Sequence, residues 1–599
     1  MAQAQTTARP EQAIDQAQSA SPERMGAIPG LRVVDEPQIV ISQPGTTTST
    51  IDTAGGINGV GQMFIAASGG GLSLCTGTLI NPRTVIFAAH CVNSSAAASY
   101  GTARGGTPIS FGFKTDNLPG VREWFLSTLG GVANPNQFKT NTANAIYNVN
   151  QVHWNPASAR TTFLEADVAI ASLDTPATGI PTWALLFSAL PAPAAIDPTT
   201  GTGYHVTLTG YGRSGVGNQG DTNGIDYRRR VAENYIGLLG SFDDRNLWLF
   251  GQGANLPQNL YQLDFDDPRR GTAAASPYDF NLFRDAPLPK EGTTAGGDSG
   301  GPLILDQTFA RKVVIGVLSG GSRFFGPQPF STYGTSSFYQ PLYLFWDYIA
   351  AKNPYRYAAA KAGDGAWEDG AHWVTTLDPA YQIIQNGQLV NGVPNSPGVG
   401  TANDPNNKFG EVCDGVECQN IKTGKISAQN DDAGSLSGEA NSAGRATLTD
   451  SMTGAENQPQ ASGTAVAAAL PAATLANGLP GATNFVPNNV NPTASVSARY
   501  YDVTLSAAGT TTLSSAATVD RFTISGSQAR LSLASGGALT TVADFNQLTG
   551  MIANNGTITS GGDYLMLAGG LQGTGRINAP FFTSVGGVIA PGTVGQLVR

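Results

Sequence analysis

The sequence predicts an all-β protein in two parts: a domain of short strands, then a stacked, solenoid-like segment. Three observations predict this. Gly occurs 75 times in 599 residues, supplying the backbone angles that tight turns need. Charged residues are only 13% of the chain. Short apolar or alternating runs recur between Gly, Asn and Pro, with almost no helical periodicity.

Composition also narrows the partners. The net charge is -10, and no Lys/Arg run or basic patch stands out, so nucleic acid and a polybasic membrane anchor are disfavoured. No run of 18 apolar residues is present, so no transmembrane helix is expected. Met1–Gln5 lacks the basic and apolar regions of a signal peptide and reads as a mature terminus left by removal of one. The four Cys fall in two close pairs, Cys75 with Cys91 and Cys413 with Cys418. Paired cysteines suit an exported protein with two disulfides, the other reading being four buried thiols. A zinc site is disfavoured, because His90 and Cys91 are adjacent and no second Cys/His pair stands at finger spacing.

Residues 1–50 are rich in Ala, Gln, Ser, Thr and Pro and read as an arm ending in a strand near Arg32–Ser42. Over 51–352, Met63–Ala67, Thr84–Ala88, Val168–Leu173, His205–Leu208 and Val313–Leu318 read as strands of a barrel or sandwich. Leu342, Phe345, Trp346 and Ile349 recur at helical spacing, predicting a helix over Pro341–Ala351. Residues 353–498 form a loop-rich junction holding Trp367, His372, Trp373 and the Cys413–Cys418 loop. Over 499–599 short runs such as Val503–Leu505, Phe522–Ile524, Leu531–Leu533 and Tyr564–Leu567 follow one another with few charges between them. That rhythm suits the rungs of a parallel β-helix, an antiparallel sandwich being the alternative.

Three segments carry the residue types that amide hydrolysis by serine requires: a nucleophile, a base, a group orienting the base, and oxyanion donors. The first, Thr84-Val85-Ile86-Phe87-Ala88-Ala89-His90-Cys91, places His90 where a strand ends, with small residues before it. A Cys75–Cys91 bridge would pin that loop to its neighbour. The second, Glu165-Ala166-Asp167 followed by Val168–Leu173, places Asp167 where an apolar strand opens, within reach of a histidine nitrogen. His153, upstream, reads as structural. The third, Gly296-Gly297-Asp298-Ser299-Gly300-Gly301-Pro302, places Ser299 in a tight turn, with the N–H groups of Gly297 and Ser299 available as an oxyanion hole.

These segments, in the order His, Asp, Ser, resemble the chymotrypsin/trypsin family of serine proteases over roughly residues 51–352. The resemblance implies a double β-barrel with His90 as general base, Asp167 orienting it and Ser299 attacking the scissile carbonyl. It makes Ser319, Gly320 and Gly321 part of the substrate-binding strand and Thr293 the base of the primary specificity pocket. An uncharged Thr293 argues against cleavage after Arg or Lys and favours apolar or aromatic residues. No cofactor and no metal are expected.

Departures from the family's pattern are plain. Ala295 stands where many relatives carry a Cys. No Ile-Val-Gly-Gly activation sequence follows a basic residue, so Asp298 lacks the freed amine that pairs with it in relatives. The segment 213–292 is long and includes the acidic run Tyr261–Asp267, read as a solvated loop in preference to a Ca²⁺ site.

A protease of this type ahead of a Gly/Ser/Thr-rich solenoid resembles the passenger of bacterial serine-protease autotransporters. The solenoid is then a right-handed parallel β-helix stalk. Asp364–Asp369 with His372-Trp373 resembles the junction after the protease, and Gly586–Gly592 the end of such passengers. The resemblance implies a secreted or cell-surface endopeptidase acting on extracellular protein or peptide, and a membrane β-barrel of the same precursor, which this sequence does not contain. The competing readings are an adhesin or glycan-binding passenger with an inactive protease scaffold, and a protease acting mainly on its own passenger.

Overall fold

The structure, a computed structural model, describes residues 32–33, 39–67, 70–126, 128–129, 132–134, 136–159, 165–325, 327–429, 451–452 and 469–592. It is almost entirely β. Most of residues 1–38 lie outside the described residues, so the expected arm is visible only from Ile39 onward, apart from Arg32–Val33.

Six strands close into a barrel: β1 (Val60–Ala67), β2 (Gly71–Asn81), β3 (Thr84–Phe87), β4 (Ile109–Gly112), β5 (Ile146–Trp154) and β6 (Ala169–Leu173). The order runs β2-β1-β4-β5-β6-β3, and β3 pairs back onto β2. Side chains on a strand alternate between faces, and alternate residues here fill the interior: Val85 and Phe87, Ile109 and Phe111, Tyr147 and Val149, Ala169, Ala171 and Leu173. Several opposite-parity residues, including Ile86 and Ile170, join a larger apolar cluster shared with the next sheet.

That sheet contains β7 (His205–Gly210), β8 (Arg230–Tyr235), β9 (Leu260–Asp264), β10 (Pro302–Leu305), β11 (Val313–Arg323) and β12 (Ser336–Pro341), in the order β8-β7-β10-β11-β12-β9. Its two ends approach each other through a side chain: Asn234 Nδ2 of β8 donates to the Asp264 carbonyl of β9 at 2.7 Å. Beyond β9 the sheet continues through Leu238–Gly240 and Phe409–Cys413, the latter paired in a hairpin with Glu417–Asn420. The Cys413–Cys418 disulfide closes that hairpin, and the Cys75–Cys91 disulfide ties β2 to the turn after β3.

The predicted helix starts later than its periodicity suggested. Pro341 ends β12, Leu342–Leu344 is a 3₁₀ turn, and the α-helix spans Trp346–Lys352. Pro has no N–H to donate into a helix, and its φ suits the end of a strand. The N-terminal segment also differs from a free arm. Val40–Ile41 is buried and pairs with Ser214–Val216 on one side and Gly292–Thr293 on the other.

The acidic segment is not a solvated loop. Tyr261–Asp264 lies in β9, and Asp264, Asp266 and Asp267 are each at most 2% exposed. The residues Tyr261, Leu263 and Phe265 alternate into the core and carry the acidic residues in with them.

From Tyr355 the chain stacks into a solenoid of about four turns, with three parallel sheets. Two begin within the segment predicted to be a loop-rich junction. Tyr355–Ala360 pairs in parallel with Tyr500–Leu505, and Gly365–Ala366 with Thr511-Thr512. Inward residues stack rung on rung: Val503 on Phe522 on Phe545 on Tyr564, and Leu531 on Ile552 on Leu571. The Phe522, Phe545 and Tyr564 rings follow at 4.8 and 4.5 Å between centroids, contacts worth ~0.5–1.5 kcal/mol each beyond burial. Asp364 and Glu368 of the junction motif hold the second rung, accepting from the N–H groups of Thr510, Ser514 and Ser515. No described helix is long and apolar enough to cross a membrane, which says nothing of β-barrels.

One stability effect follows from β7. His205 Nδ1 lies 2.8 Å from Asp306 Oδ1, and its Nε2 is 3.4 Å from Glu233. Burial opposes its charge, but Asp306 and Glu233 outweigh that and raise its pKa above the ordinary value. The resulting stabilisation is fully present below about pH 6.5, the unfolded value. It is lost as pH rises through the higher folded value. The difference in thermal midpoint between wild type and His205→Gln should therefore shrink between acidic and alkaline buffers; a difference that grows with pH would contradict the assignment.

Candidate active site

Strand pairing explains how His90 and Asp167 meet. β3 and β6 are antiparallel neighbours with Phe87 opposite Ala169. His90, three residues past Phe87, and Asp167, two before Ala169, therefore leave the barrel at the same end. A 3₁₀ turn, Ala89–Cys91, carries His90, and the Cys75 bridge anchors it. Ser299 arrives from the second sheet, in the turn before β10. Thr76 N donates to the Ser299 carbonyl at 2.8 Å and Gly300 N to the Leu318 carbonyl at 2.9 Å, so the turn is clamped between the barrel and β11. Gly300 has φ +85, and a Cβ there would lie 2.2 Å from the Thr76 carbonyl, so no other residue fits without moving the barrel.

The three side chains form a continuous relay. Asp167 Oδ2 is 2.7 Å from His90 Nδ1, and His90 Nε2 is 2.8 Å from Ser299 Oγ. Asp167 is fully buried, while His90 and Ser299 are partly exposed. Asp167 has further donors. His90 N–H gives to Oδ1 at 2.7 Å and the Ser319 hydroxyl to Oδ2 at 2.7 Å. Its carboxylate thus accepts three hydrogen bonds, each of the charge-assisted kind.

A buried chain of side chains extends behind the relay, and sequence reasoning missed it. Gln340 Nε2 donates to Ser319 Oγ at 2.9 Å, and Gln258 Nε2 to Gln340 Oε1 at 2.6 Å. Gln258 Oε1 in turn accepts from Ala166 N–H at 2.7 Å, next to Asp167. Ala166 sits at φ 50, the left-handed region that costs a non-glycine residue roughly 1–2 kcal/mol. The loop around it holds that conformation and aims Asp167. Nothing local marks Gln258 or Gln340; they meet only because β9, β12 and β11 are adjacent.

The predicted substrate-binding residues fall around β11. Register shifts between Leu318 and Gly320 against β12, leaving Ser319 as the extra residue of a bulge. The bulge re-aims its side chain, so the Ser319 hydroxyl engages Asp167 and the residue is only 1% exposed. Gly320 and Gly321 are partly exposed on the same strand. Thr293 is buried, its hydroxyl 2.9 Å from Ser337 Oγ, and Thr294 shares the same partner at 2.7 Å. Gly297 adopts φ +83 in the turn before Ser299. His153 lies on β5 opposite Ile170, outside the relay.

Asp298 is held by main-chain donors among the described residues. Its Oδ1 accepts from Gly212 N–H at 3.1 Å and its Oδ2 from Ala295 N–H at 3.2 Å. Burial still pushes its carboxyl up to about 7. Gly210 makes the fit possible, since a Cβ there would stand 2.0 Å from Asp298 Oδ1.

Among the described residues two groups have metal-ligand geometry. Cys75, His90 and Cys91 form one, but both sulfurs are consumed by the disulfide. Asp264, Asp266 and Asp285 form the other, which shares no residue with the relay. Compared with known proteins, the chain matches no family model and no curated protein.

Proposed function

We propose that this chain is an exported serine endopeptidase of the chymotrypsin type, its protease unit carried on a β-helix stalk. The observation that carries the reading is the unbroken relay from Asp167 through His90 to Ser299, with contacts of 2.7 and 2.8 Å. In this reading the sheet β7–β12 is the second barrel of the fold, closed by the Asn234 side chain where backbone pairing stops. Substrate binds across the cleft between the two sheets, against β11.

Ser299 Oγ attacks the scissile carbonyl as His90 Nε2 takes its proton. Asp167 holds the Nδ1 proton in place and stabilises the imidazolium that forms. The N–H groups of Gly297 and Ser299 receive the oxyanion, a contribution worth roughly 10²–10³ in rate per donor. His90 then protonates the leaving amine, and water repeats the sequence on the acyl-enzyme. The pocket base, Thr293 with Ser337, carries no charge and suits apolar or aromatic side chains. Two disulfides support an oxidising, extracellular setting.

Val40–Ile41 is already inserted beside Gly292–Thr293, and Asp298 is already held by main-chain donors. The uncleaved chain should therefore react. The wild-type chain should label covalently with a fluorophosphonate serine probe at neutral pH, and Ser299→Ala should not. Absence of labelling of a folded wild-type chain would sink the proposal, and so would labelling that survives in Ser299→Ala.

A further inference from the structure

The second carboxylate group is not used by the relay, and its chemistry asks for a partner. Asp264, Asp266, Asp279, Asp285 and Glu291 are all at least nine-tenths buried around one guanidinium, Arg270. Arg270 contacts Asp266 Oδ1 and both oxygens of Asp279, while Arg269 is paired with Asp267. Ionised carboxylates are strongly disfavoured in such surroundings unless compensated.

The oxygens divide into those already satisfied and those left over. Asp264 Oδ2 accepts from Phe283 N–H at 2.9 Å. Glu291 Oε1 accepts from Asp266 N–H at 2.6 Å and its Oε2 from Leu288 N–H at 2.7 Å. Asp266 Oδ2 and Asp285 Oδ2 accept from no N–H or hydroxyl donor, although both residues are at most 6% exposed, and the two carboxyl groups lie within hydrogen-bond reach of each other. One oxygen from each of Asp264, Asp266 and Asp285 lies within 4.8 Å of the others. That is the span available to ligands on one ion bound at about 2.3–2.6 Å.

We propose that Asp264, Asp266 and Asp285 bind one Ca²⁺, a site separate from the serine relay. The donors are hard carboxylate oxygens, which suit calcium and magnesium rather than softer metals. Mg²⁺ keeps several of its waters, whereas this site is enclosed by side chains, which favours the larger, more easily dehydrated ion. The cation would tie β9 to the 279–291 segment, whose end, Glu291, adjoins Gly292–Thr293. The site does not depend on the peptidase reading.

The test uses the full chain after treatment with EDTA. Equilibrium dialysis against ⁴⁵Ca²⁺ should give saturable binding near one ion per chain, and added Ca²⁺ should raise the thermal midpoint. Asp285→Asn, which keeps the side-chain shape, should abolish the binding and the Ca²⁺-dependent rise. If Asp285→Asn does not fold, Asp266→Asn is read in the same way, and dialysis of wild type alone still decides whether the ion binds. No binding to wild type at millimolar Ca²⁺ overturns the proposal, showing that the carboxyls hold protons instead. Binding that persists unchanged in a folded variant also overturns it.

Discussion

Asp167→Asn should lower kcat/KM on peptide substrates by about 10⁴-fold while leaving the chain folded. The magnitude follows from which oxygen the amide can replace. Asp167 Oδ1 faces the backbone N–H of His90, an obligate donor, so the asparagine carbonyl must take that place. The new NH₂ then occupies the Oδ2 position, facing His90 Nδ1 and the Ser319 hydroxyl. Nδ1 is forced to accept, so Nε2 carries the proton and cannot take one from Ser299. The Ser319 hydroxyl can rotate to accept from the amide, so the side chain stays bound. Steady-state kinetics with circular dichroism checks this. A folded variant that keeps activity within tenfold of wild type would remove Asp167 from the proposed role.

Asp520→Ala should destabilise the chain by about 3–5 kcal/mol, read as a shift in the denaturant midpoint. Arg83, in the β2–β3 turn, reaches out of the barrel and is bound at two points by Asp520 of the solenoid, both at 2.7 Å. The two side chains are 3% and 0% exposed. The guanidinium also stacks on the Tyr500 ring at 3.9 Å and donates to the Leu173 and Asp174 carbonyls. Removing the carboxylate leaves an enclosed charge without its bidentate partner. Replacing both partners with apolar residues, as in Arg83→Met with Asp520→Leu, should recover most of the loss, because no charge is then buried. A single Asp520→Ala within 1 kcal/mol of wild type would mean that the barrel and the solenoid do not hold each other through this pair.

Elements that depend on local rules were legible in the residues alone. Short β-type runs between turn residues marked the strands of the barrel, and apolar alternation marked the rungs of the solenoid. Turn glycines marked the Ser299 loop, and small residues beside a strand end marked His90. These patterns are legible because side-chain direction in a strand depends only on parity, and because a tight turn tolerates few residue types. They also explain where the reading went astray. The junction segment 355–366 looked like loop because its short strands join their parallel sheets through Tyr500–Leu505 and Thr511-Thr512, over 130 residues later in the chain, the one local partner being Trp373–Thr376 beside Tyr355–Ala360. The Tyr261–Asp267 run looked solvated because acidic residues usually are, and nothing local shows that Leu263 and Phe265 carry it inside.

Which polar groups answer one another depended on how the sheets pack. The β3–β6 register brings His90 to Asp167, and the clamp of Thr76 on the Ser299 turn brings the Ser299 hydroxyl to His90. The Ser319 bulge turns a residue expected to face substrate onto Asp167. Main-chain donors from Gly212 and Ala295 hold Asp298, for which the sequence suggested no partner. A buried hydrogen bond or ion pair depends on the distance between atoms far apart in the chain. Composition and spacing carry no record of that distance until the sheets have closed.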